Sequence, residues 1–341
     1  MLRQSLLYLS ESPAAQRLVT GTPVSRQMAR RFVAGDTLDE AIDAARALNQ
    51  QDLSVSLDYL GEAVSTREEA VAATEMAVAI LERIAAEGVN SNISIKPTAF
   101  GMDIDEDFCR TNIERVLSRA RDLGNSDGEI FVRLDMESSE YTERTITLLE
   151  RLREAGFQNV GTVLQSYLRR TPDDVRRLNA LGTRVRLVKG AYNEPPTVAY
   201  PDKAEVDRKF VGEMQMLLQD GTYPAIATHD EAMIQATREF AWESGIPKDR
   251  FEFQMLYGIR RDIQQRLRAD GYNVRIYVPF GEAWYPYLMR RIAERPANML
   301  FIAGSVVKES PLRRLAHPVA VGAGVAAGAL GAFAWRNRKH Q

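Results

Sequence analysis

Residues 53–96 contain the runs LSVSLDY (Leu53–Tyr59), REEAVAATEMAVAILERIAAE (Arg67–Glu87) and ISIK (Ile93–Lys96). The outer two are short and rich in Leu, Val and Ile, as strands are. The middle one is long, amphipathic and built from good helix formers. Strand, helix and strand in that order predict a parallel crossover unit. The alternation continues toward the C-terminus, with strand-like runs at Ile130–Asp135, Val160–Gln165, Val185–Lys189, Ala225–His229, Phe251–Leu256 and Val274–Pro279. Amphipathic segments such as Glu140–Ala155 lie between them. Eight strands with intervening helices point to an α/β protein of the (β/α)8 barrel type rather than an open doubly wound sheet. Asn298–Ile302 reads either as a ninth strand or as part of the last connection.

Ahead of the barrel the pattern is helical, at Gln4–Leu9, around Arg17, at Gln27–Val33 and at Thr37–Asn49. Thr37 followed by Glu40 has the spacing of a capping box. The expected organisation is an N-terminal helical segment (1–50), a barrel (51–312) and an Ala/Gly-rich apolar tail (313–341).

Composition narrows the function classes. Of 341 residues, 45% are hydrophobic and 26% charged, and the net charge is −2, an ordinary soluble balance. No basic stripe interleaved with aromatics appears, so nucleic acid is not an expected partner. Cys109 is the only cysteine, which suits a reducing, cytoplasmic compartment and a packing role for that thiol. His229, His317 and His340 are too few and too scattered for a histidine metal site. The stretch Met1 to Leu9 lacks a charged n-region followed by a cleavage site, so secretion is not expected.

In a barrel of this kind the chemistry gathers at the C-terminal ends of the strands. Those ends are Asp58, Lys96-Pro97, Asp135-Met136-Glu137, Gln165-Ser166, Lys189-Gly190-Ala191-Tyr192, Thr228-His229-Asp230, Gln254 and Tyr277. Any one of them has a structural use as a helix cap or a neighbour's ion partner, but their accumulation goes beyond capping. After the last strand comes WYPYLMRRIAE (Trp284–Glu294), with Arg290 and Arg291 adjacent. Arginine keeps its charge, and its planar fork matches a carboxylate. Such a pair is either a solvated helix face or a seat for a small anionic substrate.

Taken together, these motifs resemble the proline dehydrogenase family. The resemblance is carried by Ser94-Ile-Lys96-Pro-Thr98, Arg133-Leu-Asp135-Met-Glu137, Val163-Leu-Gln165-Ser-Tyr167 and Arg186-Leu-Val-Lys189-Gly-Ala-Tyr192. Ala227-Thr-His229, Phe251-Glu-Phe-Gln254, Arg275-Ile-Tyr277-Val-Pro279 and Arg290-Arg291-Ile-Ala-Glu294 complete the set, in the family's order. The resemblance implies a distorted barrel that binds FAD without a Rossmann domain, its last helix lying over the barrel mouth. It implies oxidation of L-proline to Δ1-pyrroline-5-carboxylate by hydride transfer from C5 to flavin N5. Electrons would then pass to a membrane quinone, in the first step of proline degradation to glutamate.

The same resemblance assigns roles. Asp135 and Arg186 match catalytic positions, and Tyr277 matches the tyrosine that closes over the proline ring. Lys96, Arg290 and Arg291 match the substrate carboxylate clamp, Glu294 the acid beside the arginine pair, and Tyr192 another tyrosine lining the site. Met136, Gln165, Lys189, Gly190, Ala191, Thr228 and His229 match positions that contact FAD, with Arg186 beside the flavin.

The physical chemistry runs parallel. A carboxylate taken out of water needs several paired donors, which Lys96, Arg290 and Arg291 supply. Arg186 would stabilise the negative charge that builds on the reduced cofactor, and Asp135, on the strand next to Lys96, would orient that lysine. Gly190 either lets backbone approach a cofactor or simply makes a strand-to-loop turn.

Two positions depart from the family pattern: residue 193 is Asn where Trp is frequent, and Asp230 stands where Asn is common. An aldehyde dehydrogenase half is not expected, so the product would go to a separate pyrroline-5-carboxylate dehydrogenase. Val319 to Trp335 is a run of 17 uncharged residues flanked by arginines. As a helix it would reach roughly 25 Å, short of the ~30 Å hydrocarbon core. It reads either as a marginal membrane anchor on the cytoplasmic face, useful for meeting a quinone, or as a helix packed on the domain. Two rival functions stay open at this point. One is a barrel lyase or aldolase using Lys96 or Lys189 as a Schiff base; the other is a non-enzymatic, membrane-tethered amino-acid-binding protein.

Overall fold

The computed structural model describes residues 29–294, apart from 62–63 and 125–127. Local signals set the first helices. Helix α1 (Leu38–Asn49) opens on the expected capping box: the Thr37 hydroxyl accepts from the Glu40 N–H, and the Glu40 carboxylate accepts from the Thr37 N–H. Thr66 and Glu69 repeat the device at the start of α2 (Arg67–Glu87). That helix stops on Gly88, whose φ of 59° is left-handed and suits glycine.

The order is then β1 (Ser54–Tyr59) before α2, β2 (Ser91–Ile95), α3 (Glu106–Asp122), β3 (Val132–Leu134) and α4 (Ser139–Glu154). It continues with β4 (Val160–Gln165), α5 (Thr171–Ala180), β5 (Arg184–Val188), α6 (Lys203–Asp220), β6 (Ala225–Ala227) and α7 (Glu231–Glu243). It ends with β7 (Glu252–Leu256), α8 (Arg261–Ala269), β8 (Asn273–Phe280) and α9 (Trp284–Glu294). All eight strands pair in parallel in sequence order, and β8 closes on β1. The expected (β/α)8 barrel is therefore present. Contacts divide the chain into two compact units: Ala29–Trp284 contains the whole barrel, and Tyr285 to Glu294 belong to the other.

Every strand is two-faced, because successive side chains point to opposite sides. Leu57, Ile93, Leu134, Val160, Leu187, Ile226, Phe253 and Ile276 face outward and are almost wholly buried under the helices. Ile42, Leu81, Leu117, Leu149, Leu178, Phe210 and Ile263 meet them from the helix side. The core is thus the shell between sheet and helices. Helix α1 packs against β1 and β8, filling the outer position that the helix after the last strand takes in a regular barrel. Residues 29–50 lie in the same compact unit as the strands.

Two strands are shorter than the sequence implies. β3 spans Val132–Leu134 instead of 130–135, and β6 spans Ala225–Ala227 instead of running to His229. The β6 ladder stops because Thr228 already turns toward α7: its hydroxyl accepts from the Asp230 N–H, and Asp230 caps the helix. Of the expected helix Gln27–Val33 the structure describes 29–33, where Ala29 is helical and the chain then turns, Phe32 and Val33 donating to the Ala29 carbonyl. The expected helices at Gln4–Leu9 and Arg17, the Asn298–Ile302 run and the tail all lie outside the described residues.

Candidate active site

The inner face of the barrel is polar. Ser56 and Asp58 on β1, Ser94 on β2 with Lys96 just after it, and Arg133 on β3 followed by Asp135 are all buried. So are Arg186 on β5 and Glu252 and Gln254 on β7, and the half-buried Arg275 and Tyr277 lie beside them on β8. Their hydrogen bonds join strands that are not neighbours, which only the lumen allows. Arg186 donates from Nη1 to Asp135 (2.8 Å), from Nη2 to Ser94 (3.0 Å) and from Nε to Gln254 (2.5 Å). Tyr277 donates to the other Asp135 oxygen at 2.8 Å, and the Arg186 guanidinium lies over its ring at 5.2 Å. Burial, with the Asp135 and Asp58 charges, pushes the Tyr277 hydroxyl well above its ordinary pKa, so it stays a donor.

Lys96 sits between two carboxylates. Its Nζ is 2.9 Å from Asp58 and 3.9 Å from Asp135, and all three side chains are largely buried. Asp135, the carboxylate expected to orient Lys96, forms the longer of its two ion pairs, and Asp58 the shorter. Asp135 is engaged by Arg186 and Tyr277, and Asp58 holds the lysine. Burial raises the Asp58 carboxyl above its usual value, with Lys96 opposing and Asp135 adding to the rise. Its Oδ2 is buried without a hydrogen-bond partner.

From β3 to β6 the strand ends continue around the barrel. Met136 is buried after β3, and Gln165 at the end of β4 donates to the Glu137 carbonyl at 2.9 Å. Lys189 pairs with Asp207 (2.5 Å) and with Asp230 (2.8 Å). Asp230, the family departure, is thus both helix cap and lysine partner. Gly190 has φ of 113°, and a Cβ there would meet the Tyr167 ring at 2.2 Å. The turn and that ring account for the glycine in this structure. Ala191 and Tyr192 follow, half-buried. Thr228 is buried, and His229 accepts from the Leu256 N–H at Nε2, which puts the neutral ring's hydrogen on Nδ1.

Arg290 and Arg291 are on α9, the guanidinium of Arg291 over the Tyr287 ring at 5.1 Å, and Glu294 closes the helix. Cys109 is buried in α3, and burial pushes its thiol up to about 12, as befits packing rather than reactivity. Sequence reading overlooked Glu252, Arg275 and Arg133 in the lumen and gave Asp58, Ser94 and Gln254 no role. The signal was present as period-two alternation, in Ser56-Leu-Asp58, Ser94-Ile-Lys96, Arg133-Leu-Asp135, Glu252-Phe-Gln254 and Arg275-Ile-Tyr277.

A closed parallel barrel with a buried, interlinked set of lysine, arginine and carboxylates at its strand ends defines a barrel enzyme acting on a small charged molecule. The chain belongs to the proline dehydrogenase family, whose model matches residues 41–303. It is 39% identical over 309 residues to proline dehydrogenase 1 of Bacillus subtilis, covering 91% of this chain and 100% of the relative. It is 40% identical over 315 residues to the proline dehydrogenase of Deinococcus radiodurans, covering 90% and 98%. Against the bifunctional protein PutA of Escherichia coli the identity is 30%, covering 86% of this chain and 25% of that one. The crystal structure of proline utilization A from Bdellovibrio bacteriovorus, inactivated by N-propargylglycine, superposes with a TM-score of 0.73 at 27% identity. It covers 85% of this chain and 35% of that structure. The protein is thus an oxidoreductase of proline catabolism.

Proposed function

We propose that this chain oxidises L-proline to Δ1-pyrroline-5-carboxylate with FAD as cofactor and passes the electrons to a membrane quinone. The observation that carries the reading is Arg186. It is 5% exposed and spends three of its five N–H groups on Asp135, Ser94 and Gln254. A buried cation with donors to spare fits a group whose charge becomes more negative during reaction. When bound, FAD supplies the acceptor for the hydride leaving proline C5.

The protein's own side chains do the rest. Met136, Gln165, Lys189, Gly190, Ala191, Thr228 and His229 would hold the cofactor along the strand ends from β3 to β6. Lys96, Arg290 and Arg291 would seat the substrate carboxylate, with Lys96 turning from Asp58 to do so. Arg290 and Arg291 are consecutive on a helix, so they diverge by about 100° and would grip from two directions. Glu294, one turn beyond Arg290, would hold that guanidinium, while Tyr277 closes over the ring and Tyr192 lines the site. Asp135 would keep Arg186 and Tyr277 in register. The substrate amine must be neutral for hydride loss, so turnover rises with pH.

The Schiff-base reading is disfavoured because the nitrogens of Lys96 and Lys189 are engaged by carboxylates, whereas a Schiff-base lysine works as a neutral amine. The product would pass to a separate pyrroline-5-carboxylate dehydrogenase. Among the described residues no helix is long and apolar enough to cross a membrane. We assign membrane contact to Val319–Trp335, in an organisation of helical segment 1–50, barrel 51–312 and tail 313–341. The test is to incubate the holoprotein with L-proline and a soluble quinone while trapping cyclic imine with o-aminobenzaldehyde. Imine formed one-for-one with quinone reduction is expected; quinone left oxidised and no trapped imine would overturn the reading.

A further inference from the structure

We propose that Glu252 and Gln254 are positioning residues for Arg186, the charge of Glu252 dictating which end of the Gln254 amide the arginine meets. The inference rests on the reading that Arg186 serves the flavin.

The two residues are two apart on β7, so both point into the lumen. Each is 3% exposed. Gln254 donates from Nε2 to Glu252 Oε1 at 2.5 Å and accepts the Arg186 Nε–H on its Oε1 at 2.5 Å. Arg275 donates from Nε to both Glu252 oxygens, at 3.0 and 3.1 Å, and anchors itself on the Val55 carbonyl at 2.8 Å. A hydrogen-bonded line therefore runs from the β1 backbone through Arg275, Glu252 and Gln254 to the arginine at the mouth.

The line has a polarity. Burial alone would raise the Glu252 carboxyl, but the Arg275 ion pair, the hydrogen bonds from Arg275 and Gln254, and the Arg133 charge hold it below its usual value. An ionised carboxylate only accepts, so the Gln254 amide must turn its NH2 toward Glu252. Its carbonyl is then left facing Arg186, where an amide in the other orientation would bring N–H against N–H. With Nε held by Gln254, Nη1 by Asp135 and Nη2 by Ser94, the guanidinium plane is fixed at three points from three strands. Without Gln254 the two remaining acceptors, Asp135 and Ser94, lie on the β2–β3 side and draw Arg186 away from its present place.

The test compares the wild-type holoprotein with Gln254→Met, which keeps chain length but loses both hydrogen bonds, and with Glu252→Gln, which keeps size but frees the neighbouring amide to flip. The readouts are FAD content, proline KM, kcat and the flavin midpoint potential by dye equilibration. FAD stays bound and proline KM stays within about two-fold, because the clamp residues are untouched. The reduced-to-oxidised ratio at a fixed potential falls about ten-fold in Gln254→Met, a shift of about −30 mV for a two-electron couple. Glu252→Gln moves it in the same direction, and kcat falls in both. A wild-type potential in either folded variant overturns the proposal. So does a rise in potential on Glu252→Gln, the sign that simple removal of a negative charge would give. A change confined to proline KM would place Gln254 in the substrate clamp instead and equally overturn it. Wild-type protein that takes up no FAD would sink the functional reading itself, a result separable from all of these.

Discussion

Lys96 Nζ lies 2.9 Å from Asp58 Oδ1, and both side chains are sealed inside the barrel mouth. The next carboxylate, Asp135, is 3.9 Å from the lysine and already receives Arg186 and Tyr277. Removing one partner of a buried pair leaves an uncompensated charge, which costs about 3–5 kcal/mol. Asp58→Ala should therefore lower the melting temperature by on the order of 10 °C in a domain of this size. Asp58→Asn, which keeps an acceptor for Lys96, should lose less. Calorimetry that finds Asp58→Ala melting with the wild type would show that the pair contributes nothing to the fold.

Glu213 makes a prediction about pH. It is 2% exposed on α6, and burial pushes its carboxyl up to about 8, with the Ser166 hydroxyl and Lys209 only partly opposing. A carboxyl with a raised folded value holds its proton more tightly in the native state than in the unfolded chain. Stability from this group is fully present below the unfolded value of 4.5 and is lost as pH rises toward about 8. Melting temperature should accordingly fall between about pH 4.5 and 8, and Glu213→Gln should flatten the fall. An equal decline in wild type and variant would place the titrating group elsewhere.

Arg291→Ala should raise the proline KM about 10- to 100-fold, the range expected on losing charge-assisted hydrogen bonds to a carboxylate. The FAD content should be unchanged. An unaltered KM would remove Arg291 from the clamp.

Tyr277 separates two contributions, since its hydroxyl serves Asp135 while its ring lies under Arg186. Tyr277→Phe keeps the ring and should keep discrimination against hydroxyproline. Tyr277→Ser loses the ring and should relax it, as read from the ratio of kcat/KM for the two substrates. An unchanged ratio in Tyr277→Ser would count against the ring as the lid over the substrate.

The barrel was legible in the sequence because its signals are local. Helix α2 occupies Arg67–Glu87 as read, and the Thr37–Glu40 box forms as read. Strand β4 occupies Val160–Gln165 as read, while β3 is shorter than read at both ends and β6 ends early where the turn into α7 competes with the ladder. The lumen was harder. Alternation in segments such as Glu252-Phe-Gln254 marks an inner and an outer face, but it does not say that the inner faces of six strands meet in one polar cluster. Lys96 shows why pairing escaped: Asp58 and Asp135 flank it equally in strand order. The choice between them is made by Arg186 and Tyr277, which come from strands far along the chain.

The most direct measurement is the visible absorption spectrum of the purified protein before and after anaerobic L-proline. A flavin spectrum that bleaches on adding proline is the predicted result. It would establish cofactor, substrate and direction of electron flow together. A flavin spectrum indifferent to proline, or no flavin band even after incubation with FAD, would contradict the account.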